Sequence, residues 1–222
     1  MPHPTSPATS SPAAAAAPDD PAALPALCDQ LIHGRQHIGP RHLGEPAPDA
    51  HALDAILAAA AAAPDHGRLQ PWRFIVLGER ARPTLAQVFV DALLERDPQA
   101  GTEQQDDARE KAGRSPVLIL AIADLHDDEA DVPVFEQLLS LGCAVQNLLL
   151  AARARGYDSG LSSGRALRSR VLRRTFALGE HEHAVCFISL GTARRRKPMR
   201  VRPEVDRFVT HYDGPADGSS TP

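Results

Sequence analysis

The chain has 222 residues, 43% hydrophobic and 23% charged, enough for one sizeable domain with a full core and too apolar for wholesale disorder. Its net charge of −4 supplies no overall basic field, so charge gives no reason to expect a nucleic-acid partner. Cys28, Cys143 and Cys186 are few, widely spaced and outside any C-x-x-C pair, which excludes a disulfide scaffold. They are expected to act as small, partly buried apolar residues in a reducing, cytoplasmic compartment.

In chain order, residues 1–21 are mostly Pro, Ala, Ser and Thr and cannot bury enough apolar area to offset chain entropy. A disordered leader is expected there, without the basic start and leucine-rich centre of a secretory signal. The folded domain is expected over 22–211, with 212–222 as a flexible tail. Leu24, Leu27, Leu31 and Ile32 fall at helical spacing, and Gly34 stops that first helix. Asp49 is placed to cap a second helix carrying Leu53, Ile56 and Leu57 on one face, which Pro64 ends. The alternation of "WRFIVL" (72–77) reads as a strand. Residues 82–97 read as a helix, and 102–113 as a polar, exposed helix ending at Gly113. "PVLILAIAD" (116–124) is almost continuously apolar, as a central strand covered on both faces would be.

Residues 134–156 predict one long helix, apolar most of the way round; about 20 residues at 1.5 Å each span about 30 Å. Glu136, Gln137, Gln146 and Asn147 interrupt it as a membrane span, so no membrane is expected. Its all-round apolarity asks for packing on several sides, a second subunit among them. A further helix is expected over 166–178, a third buried strand over 184–192, and an extended arm with one apolar patch over 202–212. Helices first, then strands alternating with helices, indicate an α/β or α+β sandwich with a covered sheet.

Four loops could carry chemistry. "RQHIGPRHL" (35–43) offers Arg35, His37, Arg41 and His42 beside a Gly-Pro turn; it suits an anionic ligand, or is a solvated basic loop. "PDHGRLQPW" (64–72) joins helix to strand, with Arg68 and Gln70 able to meet a planar polar ligand. Its plainer reading is a connection whose Trp72, the chain's sole indole, covers the core. "GYDSGLSSG" (156–164) reads as a small-residue loop after the long helix where a ring system could approach the backbone; it is not a G-x-G-x-x-G turn. "GTARRRKP" (191–198) follows a strand with four consecutive cations, a phosphate site or a surface basic run. "HEH" (181–183) lacks a third metal ligand at a usable spacing and reads as a polar turn, and no metal site is expected. Asp106-Asp107 and Asp127-Asp128-Glu129 read as solvated turns, and no G-x-S-x-G elbow or P-loop lysine motif is present.

Taken together, these loops and the long helix resemble the nitroreductase superfamily, in its compact single-domain branch, over residues 25 to about 210. The most specific piece is the family's Ala-Pro-Ser followed by Gln-Pro-Trp, which stands here as Ala63-Pro64-Asp65 and Gln70-Pro71-Trp72. The resemblance implies an α+β fold, a nitroreductase-like α/β sandwich whose central, mainly antiparallel sheet is flanked by helices, in an intertwined homodimer. It implies FMN as cofactor, NAD(P)H as electron donor and a small flat molecule as electron acceptor.

Carried over residue by residue, Arg35, Gln36 and His37 stand at the family's Arg-Arg-Ser triplet, which meets the FMN phosphate and ring edge. His66 stands where the branch reaches the flavin from the partner subunit, with Arg68 beside it. Leu161, Ser162 and Ser163 stand at the isoalloxazine loop, and Arg194 and Arg196 in the cationic run that holds the phosphate. Two departures are visible: Gln36 and His37 replace the triplet's second Arg and its Ser, and Leu161-Ser162-Ser163 replaces Trp-Arg-Ser, losing a cation near the ring. The implied activity is transfer of hydride from NAD(P)H through flavin to nitroaromatics, quinones or similar acceptors by a ping-pong route, with no catalytic side chain. The alternatives are an FMN-binding storage or sensing protein without efficient turnover, or a relative that oxidises its substrate or breaks down flavin.

Overall fold

The computed structural model describes residues 23–127, 131–196 and 198–214. The expected leader, the end of the tail, Lys197 and the Asp128-Glu129 pair lie outside these residues. The first helix, α1 (Ala23–Gly34), and the second, α2 (Ala50–Ala58), form where helical spacing places them. The Asp49 side chain accepts from Ala52 N at 2.8 Å, satisfying one of the first-turn N–H groups that a helix cannot pair internally. A 3-10 turn over Ala59–Ala62 continues α2 toward Pro64.

Five strands make the sheet: β1 (Leu43–Gly44), β2 (Trp72–Val76), β3 (Val117–Asp124), β4 (Asp158–Ser162) and β5 (Glu182–Ala193). The order is β1-β5-β3-β2, with β4 also paired to β5, and every ladder between these strands is antiparallel. The expectation of a mainly antiparallel α+β sandwich holds.

The continuous apolar run of β3 has a period-2 explanation. Ile119, Ala121 and Ala123 point into one core with Trp72, Ile188 and Leu190, beneath α2 and the long α5 (Val134–Ala154). Leu118, Leu120 and Ile122 point into the other with Phe187, beneath α3 (Arg82–Arg96) and α6 (Arg170–Thr175). Phe89 of α3 meets Phe187 edge-on, ring centroids 5.6 Å apart. Trp72 is buried in the first core, so its structural reading stands.

Helix α5 is long and apolar enough to cross a membrane by length and composition, yet Leu141, Ala144, Val145, Leu148, Leu149 and Ala152 are packed against the sheet. Buried Gln137 is fully engaged, accepting from His126 N and donating to the carbonyls of His126 and Val132. What α5 leaves uncovered is a stripe at its start: Phe135 is 70% and Leu139 67% exposed, with Leu138 between them. None of the residues of α1 is buried, although Leu24, Leu27 and Ile32 share that helix. The arm over 198–214 likewise exposes Val201, Phe208 and Tyr212.

Three expectations need correction. The 156–164 stretch is no small-residue loop: it holds β4, because its backbone pairs with β5 from Asp158↔Gly191 to Ser162↔Phe187. The helix expected over 166–178 divides into a 3-10 turn, Arg165–Arg168, and the short α6, since Ser169 caps a new start by accepting from Leu172 N. Cys28 is exposed, whereas Cys186 is buried and its thiol is pushed up to about 11 by desolvation, which keeps it unreactive.

Candidate functional site

Helix α4 (Thr102–Glu110) packs against α3, and with the exit of β4 these elements enclose a cavity of about 940 Å³. Its inner wall is apolar: Phe89 and Leu93 from α3, Leu118 from β3, Leu167 and Phe187. Phe89, Leu93 and Arg96 recur at i, i+4 and i+7, so one face of α3 runs from this wall to a cation at the rim. Arg41 and His42 from the 35–43 loop, Lys111, Arg114 and Arg165 complete the basic lining, against the carboxylates of Glu103 and Asp107.

Asp107 is the hub of that rim. Its carboxylate accepts from Arg41 at 3.0 Å and Arg114 at 2.7 Å, and stands 3.4 Å from Lys111. The Lys111 ammonium, with Arg114, lowers the Asp107 pKa from its ordinary value. The solvated-turn reading of Asp106-Asp107 is therefore corrected: both lie in α4, and Asp107 gathers three cations at the cavity mouth. The Nε of Arg114 is buried and meets no acceptor among the described residues. The rest of the guanidinium is partly exposed and paired with Asp107, so this Nε is a spare donor that an anion or a water can satisfy.

A second cluster lies along β4. His37 bridges to Ser159 in parallel, and Ile38 N donates to the Ser159 carbonyl at 2.9 Å. This close approach requires glycine at 160: a methyl there would sit 2.9 Å from the Ile38 carbonyl carbon and closer still to its oxygen. The His37 ring lies beside Gly160, its Nδ1 accepting from Leu161 N at 3.3 Å. A neutral His37 ring then carries its proton on Nε2 and can donate outward. Arg35 has a buried Nε without an acceptor among the described residues, and Gln36 donates to the Met199 sulfur. Arg202 reaches the Arg35 carbonyl at 3.5 Å, so the arm after β5 lies over this cluster. Arg196 is held by the buried carboxylate of Asp158 at 2.8 Å.

The structure thus divides the residues nominated from sequence. Ser162 and Ser163 line the cavity, whereas Leu161 is exposed and contributes its N–H to His37. His37 and Arg196 meet β4 at Ser159 and Asp158, Arg35 and Gln36 directly precede His37 under the arm after β5, and none of these four lines the cavity. Arg194 packs over Gly44 in an adjoining cleft that shares Arg41 and Arg114 with the cavity. His66 and Arg68 line neither space: they lie on a turn facing the start of α5, where His66 Nδ1 is 2.9 Å from Glu136. That turn holds Gly67, Arg68 and Gln70 at positive φ, an unusual backbone for the latter two, pinned by Gln70 N donating to Asp65.

Sequence reasoning missed Asp107, Lys111, Arg114, Arg96 and Arg165. Their available signal was the polar 102–113 stretch, which is mostly exposed as expected, with Ala108 of α4 and Ala112 of the 3-10 turn after it buried.

Comparison with known proteins agrees with this architecture. The profile of the Nitroreductase family matches residues 35–192. A provisionally named NAD(P)H nitroreductase of Haemophilus influenzae is 35% identical over 172 residues, spanning 77% of this chain and 92% of the relative. Another, YfhC of Bacillus subtilis, is 28% identical over 186 residues, spanning 81% and 91%. Among solved structures, a nitroreductase-like family protein from Bacillus cereus superposes with a TM-score of 0.73 at 17% identity, over 85% of this chain and 96% of that one. An FMN-dependent nitroreductase from Clostridium difficile gives 0.57 at 20% identity, over 83% and 98%.

Proposed function

Because the chain belongs to the nitroreductase family, we propose that it is an FMN-dependent oxidoreductase that draws hydride from NAD(P)H and reduces flat acceptors such as nitroaromatics or quinones by a ping-pong route. The observation that carries this reading is the cavity itself: an apolar wall, a rim of cations and a volume near the upper end for small-molecule sites. FMN fits the residues present, since an anion can satisfy the spare buried donors of Arg35 and Arg114. When bound, FMN supplies the two-electron hydride chemistry.

The chain's own residues do the rest. Arg35, Arg196 and the Nε2–H of His37 hold the phosphate, and Asp158 keeps Arg196 in place. Phe89, Leu118, Leu167 and Phe187 exclude water from the ring, which strengthens every charge interaction at the rim. Arg41, Lys111 and Arg114 would supply positive charge to a flavin held in the cavity, in place of the cation lost at Ser162. In a homodimer joined along α5, α1 and the 198–214 arm, His66 and Arg68 are the residues offered to the partner's flavin.

The test is the visible spectrum of the purified protein before and after NADPH without oxygen. The expected result is a yellow protein bleached by the nucleotide. A colourless protein that cannot be reconstituted with FMN sinks the proposal; one that binds FMN and resists reduction by both nicotinamides is a storage or sensing protein.

A further inference from the structure

The reduction proposed above consumes protons. A nitro group that takes up hydride must gain a further proton before its N–O bond breaks and water leaves. Arginine and lysine hold their protons, and carboxylic acids lose theirs, far from neutral pH, whereas histidine changes charge close to it. Arg41, Arg96, Lys111, Arg114 and Arg165 are therefore the standing cations of the cavity lining, and Glu103 and Asp107 its standing anions. Among the described residues of that lining His42 is the one histidine, and no cysteine or tyrosine accompanies it.

His42 ends the 3-10 turn Pro40–His42. Its N–H donates to the Gly39 carbonyl and its carbonyl accepts from Arg194 N, each at 2.8 Å. The next residue, Leu43, is buried and pairs with Ala193 of β5. The backbone is thus anchored on both sides, while the side chain stays exposed at the cavity. Its ring has no hydrogen-bond or ion-pair partner among the described residues. An unpaired imidazole on fixed backbone, open to both cavity and water, can give a proton to a bound molecule and regain it from solvent.

We propose that His42 is the general acid of the reaction, the proton donor to the acceptor's oxygen; this goes beyond the reductase reading above and rests on it. With a nitroaromatic, hydride brings two electrons and one proton, and protonated His42 gives the second proton. The N–O bond breaks, and the products are the nitroso compound, water and neutral His42, which solvent reprotonates.

The experiment compares 1,4-dinitrobenzene with ferricyanide, which takes one electron and no proton. In a ping-pong scheme kcat/KM for the acceptor reports its own half-reaction. For wild-type holoenzyme with NADPH, that value should fall for dinitrobenzene as pH rises between about 5 and 8, and stay level for ferricyanide. His42→Gln should lower it about a hundredfold for dinitrobenzene and less than twofold for ferricyanide. Added imidazole should restore part of the dinitrobenzene rate of His42→Ala. An undiminished dinitrobenzene rate in His42→Gln, equal losses with both acceptors, or a loss that imidazole leaves untouched overturns the inference. A readout without turnover comes from NMR of oxidised, histidine-labelled protein, where the ring signal that His42→Gln removes should shift on adding dinitrobenzene; an indifferent signal also overturns it. A flavin-loaded wild type that reduces ferricyanide alone overturns this inference and leaves the reductase reading standing, whereas one that reduces neither overturns both.

Discussion

Gly160→Ala is the sharpest perturbation of the candidate site, because one methyl acts on an entire strand contact. The added carbon would lie 2.9 Å from the Ile38 carbonyl carbon, against about 3.5–4.0 Å for an unstrained carbon contact, so residues 35–39 must retreat by about 1 Å. Such a shift strains or breaks Ile38 N to Ser159 O, at 2.9 Å, and Leu161 N to His37 Nδ1, already 3.3 Å. Two hydrogen bonds at about 1 kcal/mol each, with about 1–3 kcal/mol for overpacking, bound the cost at about 3–5 kcal/mol. The cofactor should suffer as well, since Arg35 and His37 ride on the displaced segment. The measurements are thermal unfolding of the FMN-free protein and the FMN dissociation constant by flavin fluorescence, with Gly78→Ala as control because a methyl there meets nothing within 4 Å. A G160A protein that melts with the wild type and binds FMN equally well would refute the argument that glycine is what lets this strand carry the site.

Other outcomes follow from the same geometry. Arg35→Ala should weaken FMN by about 1.5–3 kcal/mol, roughly tenfold to a hundredfold, with a much smaller effect on riboflavin, which lacks the phosphate; equal losses for both would remove Arg35 from the phosphate site. Glu182, engaged twice by Arg73, has its pKa lowered to about 2, chiefly by that hydrogen-bonded pairing. Its folded value is depressed, so its stabilisation is complete above the ordinary 4.5 and lost as pH falls toward 2. With Arg73 40% exposed, the contribution is about 1–3 kcal/mol, and acid titration of Glu182→Gln should show a flatter stability profile between pH 5 and about 2 than wild type. Leu139→Asp places a charge on the exposed stripe of α5 and should convert a dimer to monomers in sedimentation velocity, while a wild-type monomer would remove that stripe from any subunit contact.

How much of this was legible beforehand varies with the range of the interactions involved. The Asp49 cap, the strand after Pro71 and the long helix rest on contacts within a few residues, and each formed where its local pattern placed it. The four loops likewise held enough local signature to indicate the family, and two of them meet at His37 and Ser159, although the second is the strand β4 rather than a loop. The Asp106-Asp107 pair, by contrast, looked like any solvated acidic turn, because nothing near it in sequence shows that Arg41 lies across a cavity from α4.

By itself, then, the sequence determined the periodic elements: the two-faced burial of β3, the apolar α5 and the structural role of Trp72. Only the tertiary structure decided that residues 158–162 are a strand, since their polar, glycine-bearing stretch becomes one by pairing with β5 and accepting Ile38 against Gly160. It also decided which cations share a cavity, bringing Arg41, Arg96, Lys111 with Arg114, and Arg165 together from four places in the chain. The physical reason is that helical and strand periodicity record which side of an element is buried, whereas a binding site depends on which elements face one another, and that is set by packing between residues far apart in sequence.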